Sequence, residues 1–78
     1  MRAKVYVTLR RDVLDPQGEA VRRGLVSLGH SDVSEVRVGK YIEIEMGGSP
    51  AAAEARLREM CEKLLANTVI EDYRFEIV

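Results

Sequence analysis

Hydrophobic and polar residues alternate along both ends of the chain. Every second residue is apolar in residues 2–10, Arg-Ala-Lys-Val-Tyr-Val-Thr-Leu-Arg, and again through Tyr73, Phe75 and Ile77 in residues 69–78. Successive side chains of a strand point to opposite faces of a sheet, so this alternation is typical of strands with one buried and one solvated face. We therefore predict a first strand over residues 2–10 and a last strand over residues 69–78.

A helical pattern follows the first strand. Asp15 is a favoured N-cap residue, and Pro16 suits the first helical position because its missing N–H is not needed there. Apolar residues then recur at i, i+4 and i+7 and are followed by Gly29, a residue that favours a helix end. These apolar residues are Val21, Leu25 and Leu28. Inside a helix Gly18 and Gly24 each cost about 1 kcal/mol against alanine, which indicates either close approach of another group or a tolerated weakness.

The second helix has the clearest pattern. We predict that Ser49 caps it, that Pro50 begins it and that Asn67 takes the left-handed position at its end. Its apolar residues recur at i, i+3, i+4, i+7 and i+8, which predicts one buried face. They are Leu57, Met60, Cys61, Leu64 and Leu65.

Residues 35–46, Glu-Val-Arg-Val-Gly-Lys-Tyr-Ile-Glu-Ile-Glu-Met, have an apolar residue at every even position except Lys40. A two-residue hairpin at Gly39 and Lys40 would place apolar and acidic side chains on one sheet face, and such a register error is strongly penalised. Two interpretations remain. The segment is one long strand bent at Gly39, or two strands joined through Gly39, Lys40 and Tyr41. In both, Lys40 marks the point where the buried face opens.

The element order is therefore β-α-β-α-β, with the middle strand long or split. One apolar stripe per helix and one apolar face per strand predict an α+β fold of two layers, related to the ferredoxin-like folds, in which two helices cover one face of an antiparallel or mixed sheet. The other face shows Arg2 and Lys4 on the first strand and Glu43 and Glu45 on the middle one. These opposite charges predict that the two strands are neighbours.

Length and charge narrow the function classes. The 78 residues fit a single domain, residues 1–78, with a core small enough that self-association is expected to support it. The net charge is −1, whereas nucleic-acid-binding modules usually carry a basic excess, so no nucleic-acid partner is expected. No apolar run reaches the length of a membrane span. A lone cysteine, with no export signal expected before the first strand, favours a cytoplasmic location.

No reactive arrangement of side chains is visible. Cys61 falls on the apolar stripe of the second helix, where thiols are usually inert, and His30 has no partner acid close in sequence. Glu71 and Asp72 point to opposite faces of their strand, which argues against a shared metal ion. There is no glycine-rich phosphate loop. We expect no catalytic, cofactor-binding or metal-binding residue on this chain, and a role in binding other chains.

Five segments, taken together, carry a family resemblance. They are KVYVTLR (4–10), VLDPQG (13–18), VRVGKYIEIE (36–45), EMCEKLLAN (59–67) and VIEDYRFE (69–76). In this order and at this spacing they resemble the PurS family, the small subunits of phosphoribosylformylglycinamidine (FGAM) synthase in purine biosynthesis. One departure is Thr68, where the family often has proline.

The resemblance implies a subunit of a carbon–nitrogen ligase with no active site of its own. The complete synthase uses ATP and glutamine to convert formylglycinamide ribonucleotide (FGAR) to FGAM. The resemblance implies two partners, a large synthase subunit (PurL) and a glutaminase subunit (PurQ), which use ATP, magnesium and glutamine. It implies that the small subunit serves their assembly and the transfer of ammonia. It also implies a homodimer, or a tetramer that is a dimer of dimers.

Two of the matching segments suggest a partner interface. One is the strand bend with its intrusive lysine, and the other is the exposed start of the first helix, where free N–H groups suit an acidic group. The hypothesis covers Asp15, Pro16, Gln17, Gly18, Arg37, Gly39, Lys40 and Tyr41. Two simpler interpretations stay open: a lysine that extends along the sheet margin, and an ordinary capping turn.

Two rival functions have some support. ACT-like regulatory domains share the element order and bind a small metabolite at an Asp-x-Pro-Gly type of turn, which residues 14–18, Leu-Asp-Pro-Gln-Gly, resemble with altered spacing. An RNA-binding sheet would use exposed aromatic residues such as Tyr6 and Tyr41, but Glu43 and Glu45 beside them repel phosphate.

Overall fold

The computed structural model describes residues 1–78 and has three strands and two helices. The elements are β1 (Arg2–Leu9), α1 (Pro16–Ser27), β2 (Gly39–Glu45), α2 (Pro50–Met60), which continues into a π-helical turn (Cys61–Leu65), and β3 (Glu71–Ile77). The sheet order is β2-β1-β3, and β1 is antiparallel to both neighbours. The predicted α+β class is therefore confirmed, with the sheet antiparallel throughout.

The register confirms that β1 and β2 are neighbours. Arg2 pairs with Glu45 and Lys4 with Glu43 across the two strands. The Arg2 guanidinium donates to Oε1 of Glu45 at 2.9 Å, so part of the predicted charge complementarity forms an ion pair.

The core lies between the sheet and α2. Leu57 and Cys61 of the helical segment are fully buried against the apolar face of β1. The remaining members of this core cluster are Ala3, Val5, Val7, Met46 and Ala66. Helix α2 begins as predicted. Pro50 is its first residue, and Ser49 caps it, since the Ser49 hydroxyl accepts from the Ala51 N–H at 3.2 Å.

The predicted stripe of the second helix is wrong at Leu64, whereas Leu65 packs against the core cluster as predicted. Leu64 is 83% exposed, although a regular helix would place it above Leu57. The reason is the π-helical turn, in which the Ala66 N–H bonds to the Cys61 carbonyl five residues back. A wider turn advances each residue by a smaller angle, so Leu64 lags behind the buried face.

Asn67 does not adopt the predicted left-handed conformation, since positive φ angles occur only at Gly29 and Gly48. Its side-chain oxygen instead accepts from the Val69 N–H at 3.2 Å, and its carbonyl accepts from Ile70 and Glu71. Residues 68–70 therefore form a turn, and β3 begins at Glu71 rather than at residue 69.

Helix α1 begins and ends where its sequence predicts but stays outside the core cluster. Asp15 caps it, and Gly29, with φ of 102°, follows its end. None of its apolar side chains belongs to the core cluster, and Val21 and Leu28 are 42% and 77% exposed. The radius of gyration is 16.0 Å, whereas a compact chain of this length has about 11.5 Å. The molecule is therefore elongated, and the apolar stripe of α1 is exposed at Val21 and Leu28 and half-buried at Leu25.

Strand β2 is shorter than the predicted long strand. It begins at Gly39, opposite Thr8, and residues 35–38 belong to no strand. Beyond that pair the Val38 N–H donates to the Asp15 carboxylate instead of to a neighbouring strand. Residues 35–46 are thus neither one bent strand nor a hairpin.

Candidate subunit interface

The start of α1 and the start of β2 are joined by one carboxylate. Asp15 Oδ1 accepts from the Gly18 N–H at 2.8 Å, which is the capping bond, and Oδ2 accepts from the Val38 N–H, also at 2.8 Å. The Asp15 side chain is largely buried at this junction. The two backbone donors, first that of Val38 and then that of Gly18, hold the pKa of Asp15 below its usual value.

Close packing at the same junction explains one of the two unusual glycines. A Cβ atom on Gly18 would lie 2.1 Å from the Val36 carbonyl oxygen, so only glycine fits there. Around Gly24 no atom other than those of adjacent residues and the helix's own backbone lies within 4 Å of the corresponding position. Close approach is therefore the explanation for Gly18, whereas the structure gives no reason for Gly24.

Arg37 ties the segment before β2 to the loop after β1. Its Nη2 donates to the carbonyl oxygens of Arg10 at 2.7 Å and Val13 at 2.9 Å. Nearby, Arg11 and Glu35 form an exposed ion pair, with Arg11 Nη1 2.9 Å from Glu35 Oε1. The capping bond of Asp15 was predicted from the sequence. Its bond to Val38 and the two bonds of Arg37 were not, because those partners are more than 20 residues away in sequence.

Lys40 lies at the margin of the core face. Its partner across the sheet is Val7, and its Nζ lies 3.5 Å from the Leu65 carbonyl oxygen and 3.9 Å from Glu71 Oε2. The side chain remains 57% exposed. The lysine therefore extends along the sheet margin to an acceptor at the end of the π-helical turn, and more than half of its side chain stays exposed.

Two shallow grooves bring most of the predicted interface residues together. One, of about 230 Å³, lies at the end of the sheet and includes Asp15, Gln17, Gly39 and Lys40. The other, of about 410 Å³, is lined by Leu14, Asp15, Pro16, Glu19, Ser34, Glu35, Val36 and Arg37. On its rim Arg22 pairs with Glu19 and lowers the pKa of that carboxyl to about 2. That another chain binds in these grooves stays a prediction.

Tyr41 lies apart from the other predicted interface residues, on the opposite face of the sheet from Lys40. Its ring packs against Tyr6 with centroids 5.3 Å apart. On the other side of Tyr6 the Arg74 guanidinium lies 3.9 Å from the ring centroid. Sequence reasoning missed the contact of Arg74 with Tyr6. Knowing that β1 pairs with β3 would have placed Arg74 beside that ring.

The structure groups no reactive side chains. Burial raises the pKa of the Cys61 thiol, which is enclosed in the core. No three His, Cys, Asp or Glu side chains lie close enough to hold a metal ion. None of the helices has both the length and the apolar character needed to cross a membrane.

Comparisons with known proteins decide the family. The family model described as PurS, phosphoribosylformylglycinamidine (FGAM) synthase, matches residues 2–78. The chain belongs to the PurS family. A PurS subunit from Synechocystis is 56% identical over 75 residues, which covers 95% of this chain and 75% of the relative. The predicted resemblance is thereby confirmed, and the ACT-like alternative is not favoured.

Solved structures of PurS proteins agree with this fold. The structure of Bacillus subtilis PurS has a TM-score of 0.88 and 53% identity, covering 96% of this chain and 94% of that chain. A chain in the structure of PurLQS from Thermotoga maritima has a TM-score of 0.75 and 29% identity, covering 99% of this chain and 95% of that one. The second match is to a PurS-like chain within a multi-subunit structure.

Proposed function

We propose that this chain is the non-catalytic small subunit of FGAM synthase in purine biosynthesis. It serves the assembly of the glutaminase and the ATP-dependent synthase subunits and the transfer of ammonia between them. Membership in the PurS family over residues 2–78 carries the proposal. The grooves and the exposed apolar side chains of α1 support it, because surfaces of this kind suit contacts with other chains.

The partners in this proposal are the large synthase subunit PurL and the glutaminase subunit PurQ. ATP, magnesium and glutamine are used on those partners, and this chain carries no cofactor. The match to a chain of PurLQS supports this composition. A cytoplasmic location is part of the proposal, and the single buried Cys61 agrees with a reducing compartment.

Self-association is a second part of the proposal. The stripe of Val21, Leu25 and Leu28 on α1 has no partner in the core cluster, and exposed apolar stripes of this kind mark protein contacts. We propose a homodimer, or a tetramer that is a dimer of dimers, in which a second copy covers this stripe.

Reconstitution tests the function directly. Purified PurL and PurQ are assayed for glutamine-dependent FGAM formation with and without this chain. Activity should depend on the added chain and saturate with it. Full activity of the two larger subunits alone would contradict the proposed function.

Lys40→Glu tests the groove at the end of the sheet in the same assay. The variant places a second acid beside Glu71, now 3.9 Å from the ammonium, and should fold but assemble poorly. Lys63→Glu is the matched control, since Lys63 is an exposed lysine of the π-helical turn away from both grooves. If Lys40→Glu supports full glutamine-dependent activity, the groove is not an interface.

A further inference from the structure

The open face of the sheet carries a row of three side chains, one from each strand. Arg74 on β3, Tyr6 on β1 and Tyr41 on β2 are paired across the sheet in that order. The guanidinium of Arg74 lies over the Tyr6 ring at 3.9 Å, within the distance at which a cation is attracted by an aromatic face. The same guanidinium bonds to Glu76 Oε1 at 3.1 Å. Ring and carboxylate together hold this cation.

The edge strand β2 also carries a ring and a carboxylate on this face, but no guanidinium. Tyr41 and Glu43 are two residues apart on this one strand, whereas Tyr6 and Glu76 belong to the adjacent strands β1 and β3. One side of the Tyr41 ring meets Tyr6, the side chain is 51% exposed, and no guanidinium lies over it. The Glu43 carboxylate makes no hydrogen bond and no ion pair.

Neither of the nearby cationic side chains on this face, Arg2 and Lys4, forms an ion pair with Glu43. Arg2 is bound to Glu45 at 2.9 Å. Lys4 lies opposite Glu43 on the central strand and forms no ion pair. An incoming cation therefore meets a ring and an unpaired carboxylate at the sheet edge, where β2 has no further strand beside it.

We propose that Tyr41 and Glu43 form a docking site for an arginine side chain of another synthase subunit. The guanidinium stacks on the outer side of the Tyr41 ring and bonds to the Glu43 carboxylate, as Arg74 does with Tyr6 and Glu76 inside the chain. Arginine suits this site better than lysine because its planar guanidinium both stacks on a ring and bonds a carboxylate. The inference rests on the proposed function, since it needs a partner subunit.

Affinity for PurL, with PurQ, glutamine and ADP present, tests the site in full-length protein. Tyr41→Leu should weaken assembly about 5- to 30-fold, and Tyr41→Phe, which keeps the ring, should leave it unchanged. Glu43→Gln should weaken assembly about 3- to 10-fold and make the affinity less dependent on salt. Glu45→Gln is the matched control, because that carboxylate on the same strand and face is already bound to Arg2.

Four outcomes separate the possibilities. Loss of affinity in Tyr41→Leu and Glu43→Gln but not in the two controls, with unchanged circular dichroism, supports the site. Wild-type affinity in both variants overturns it. A loss confined to self-association also overturns it, because the occupant is then a second copy of this chain. If wild-type protein itself fails to bind the other subunits, the proposed function falls first.

Discussion

Two glycines within one helix illustrate how the surroundings of a residue determine its role. Gly18 faces the backbone of the segment before β2, and the Val36 carbonyl oxygen occupies the space that a side chain needs. Gly24 faces open space. Both glycines weaken α1 to a similar extent through backbone entropy, but only Gly18 allows the helix to approach its neighbour.

Alanine at the two positions should therefore have opposite effects. Gly18→Ala forces the backbone apart and should lower the free energy of unfolding by about 1 to 3 kcal/mol. Gly24→Ala should raise it by about 0.5 to 1 kcal/mol, because alanine favours the helix and meets no atom. Urea unfolding of the two variants beside wild type measures both values. Equal changes of the same sign would show that the Val36 contact has no energetic consequence.

At the scale of elements, Asp15 connects a helix to a strand. Its carboxylate bonds both to the start of α1 and to Val38 just before β2, so it restrains the direction in which the helix leaves the sheet. Both bonds favour the charged form, which is why the pKa of Asp15 is lowered in the folded state. A carboxylate whose pKa is lowered on folding stabilises the protein at neutral pH, and that stabilisation is lost in acid.

The Asp15 contribution should disappear in acid. An unfolded aspartate titrates near about pH 3.9, so the stabilisation is complete above that pH and is lost as the pH falls through the lower folded-state pKa. Asp15→Asn keeps one acceptor and loses the charge, and it should lower the melting temperature at pH 7 by about 4 to 8 °C. Thermal melts of both proteins from pH 7 to pH 2 measure the difference. A difference that stays constant down to pH 2 would contradict the role of the charge.

Local signals in the sequence predicted both helix starts, because a cap such as Asp15 or Ser49 acts on N–H groups two or three residues away. The start of β2 was not predictable in this way, since it depends on the Asp15 to Val38 bond between distant segments. The position of Leu64 depends on a wider turn that regular helical spacing does not anticipate. Strand alternation places Tyr41 and Lys40 on opposite faces of the sheet, whereas the interface hypothesis grouped them because both lie beside Gly39 in a segment that resembles the family.

At the scale of the whole molecule, the position of α1 is the feature that a single copy leaves unexplained. A chain of this length gains stability by covering apolar surface, yet the stripe of α1 contributes nothing to the core cluster. The elongated shape, 50 × 24 × 14 Å, keeps the helix away from the core cluster. The second copy that we propose would supply the surface that the first copy lacks, and folding and assembly would then be coupled.

This coupling predicts the behaviour of α1 variants. Wild-type protein should sediment as a dimer or a tetramer at micromolar concentration, and a double variant, Val21→Lys with Leu28→Lys, should sediment as a monomer. The change adds two charges to the stripe without touching the core cluster, so the circular dichroism of the sheet and α2 should remain. Ala20→Lys, an exposed position of the same helix outside the stripe, is the control and should assemble as wild type does. An oligomer that survives the double variant would mean that the copies meet elsewhere, most simply along the free edges of β2 and β3, where unpaired backbone groups can accept another strand.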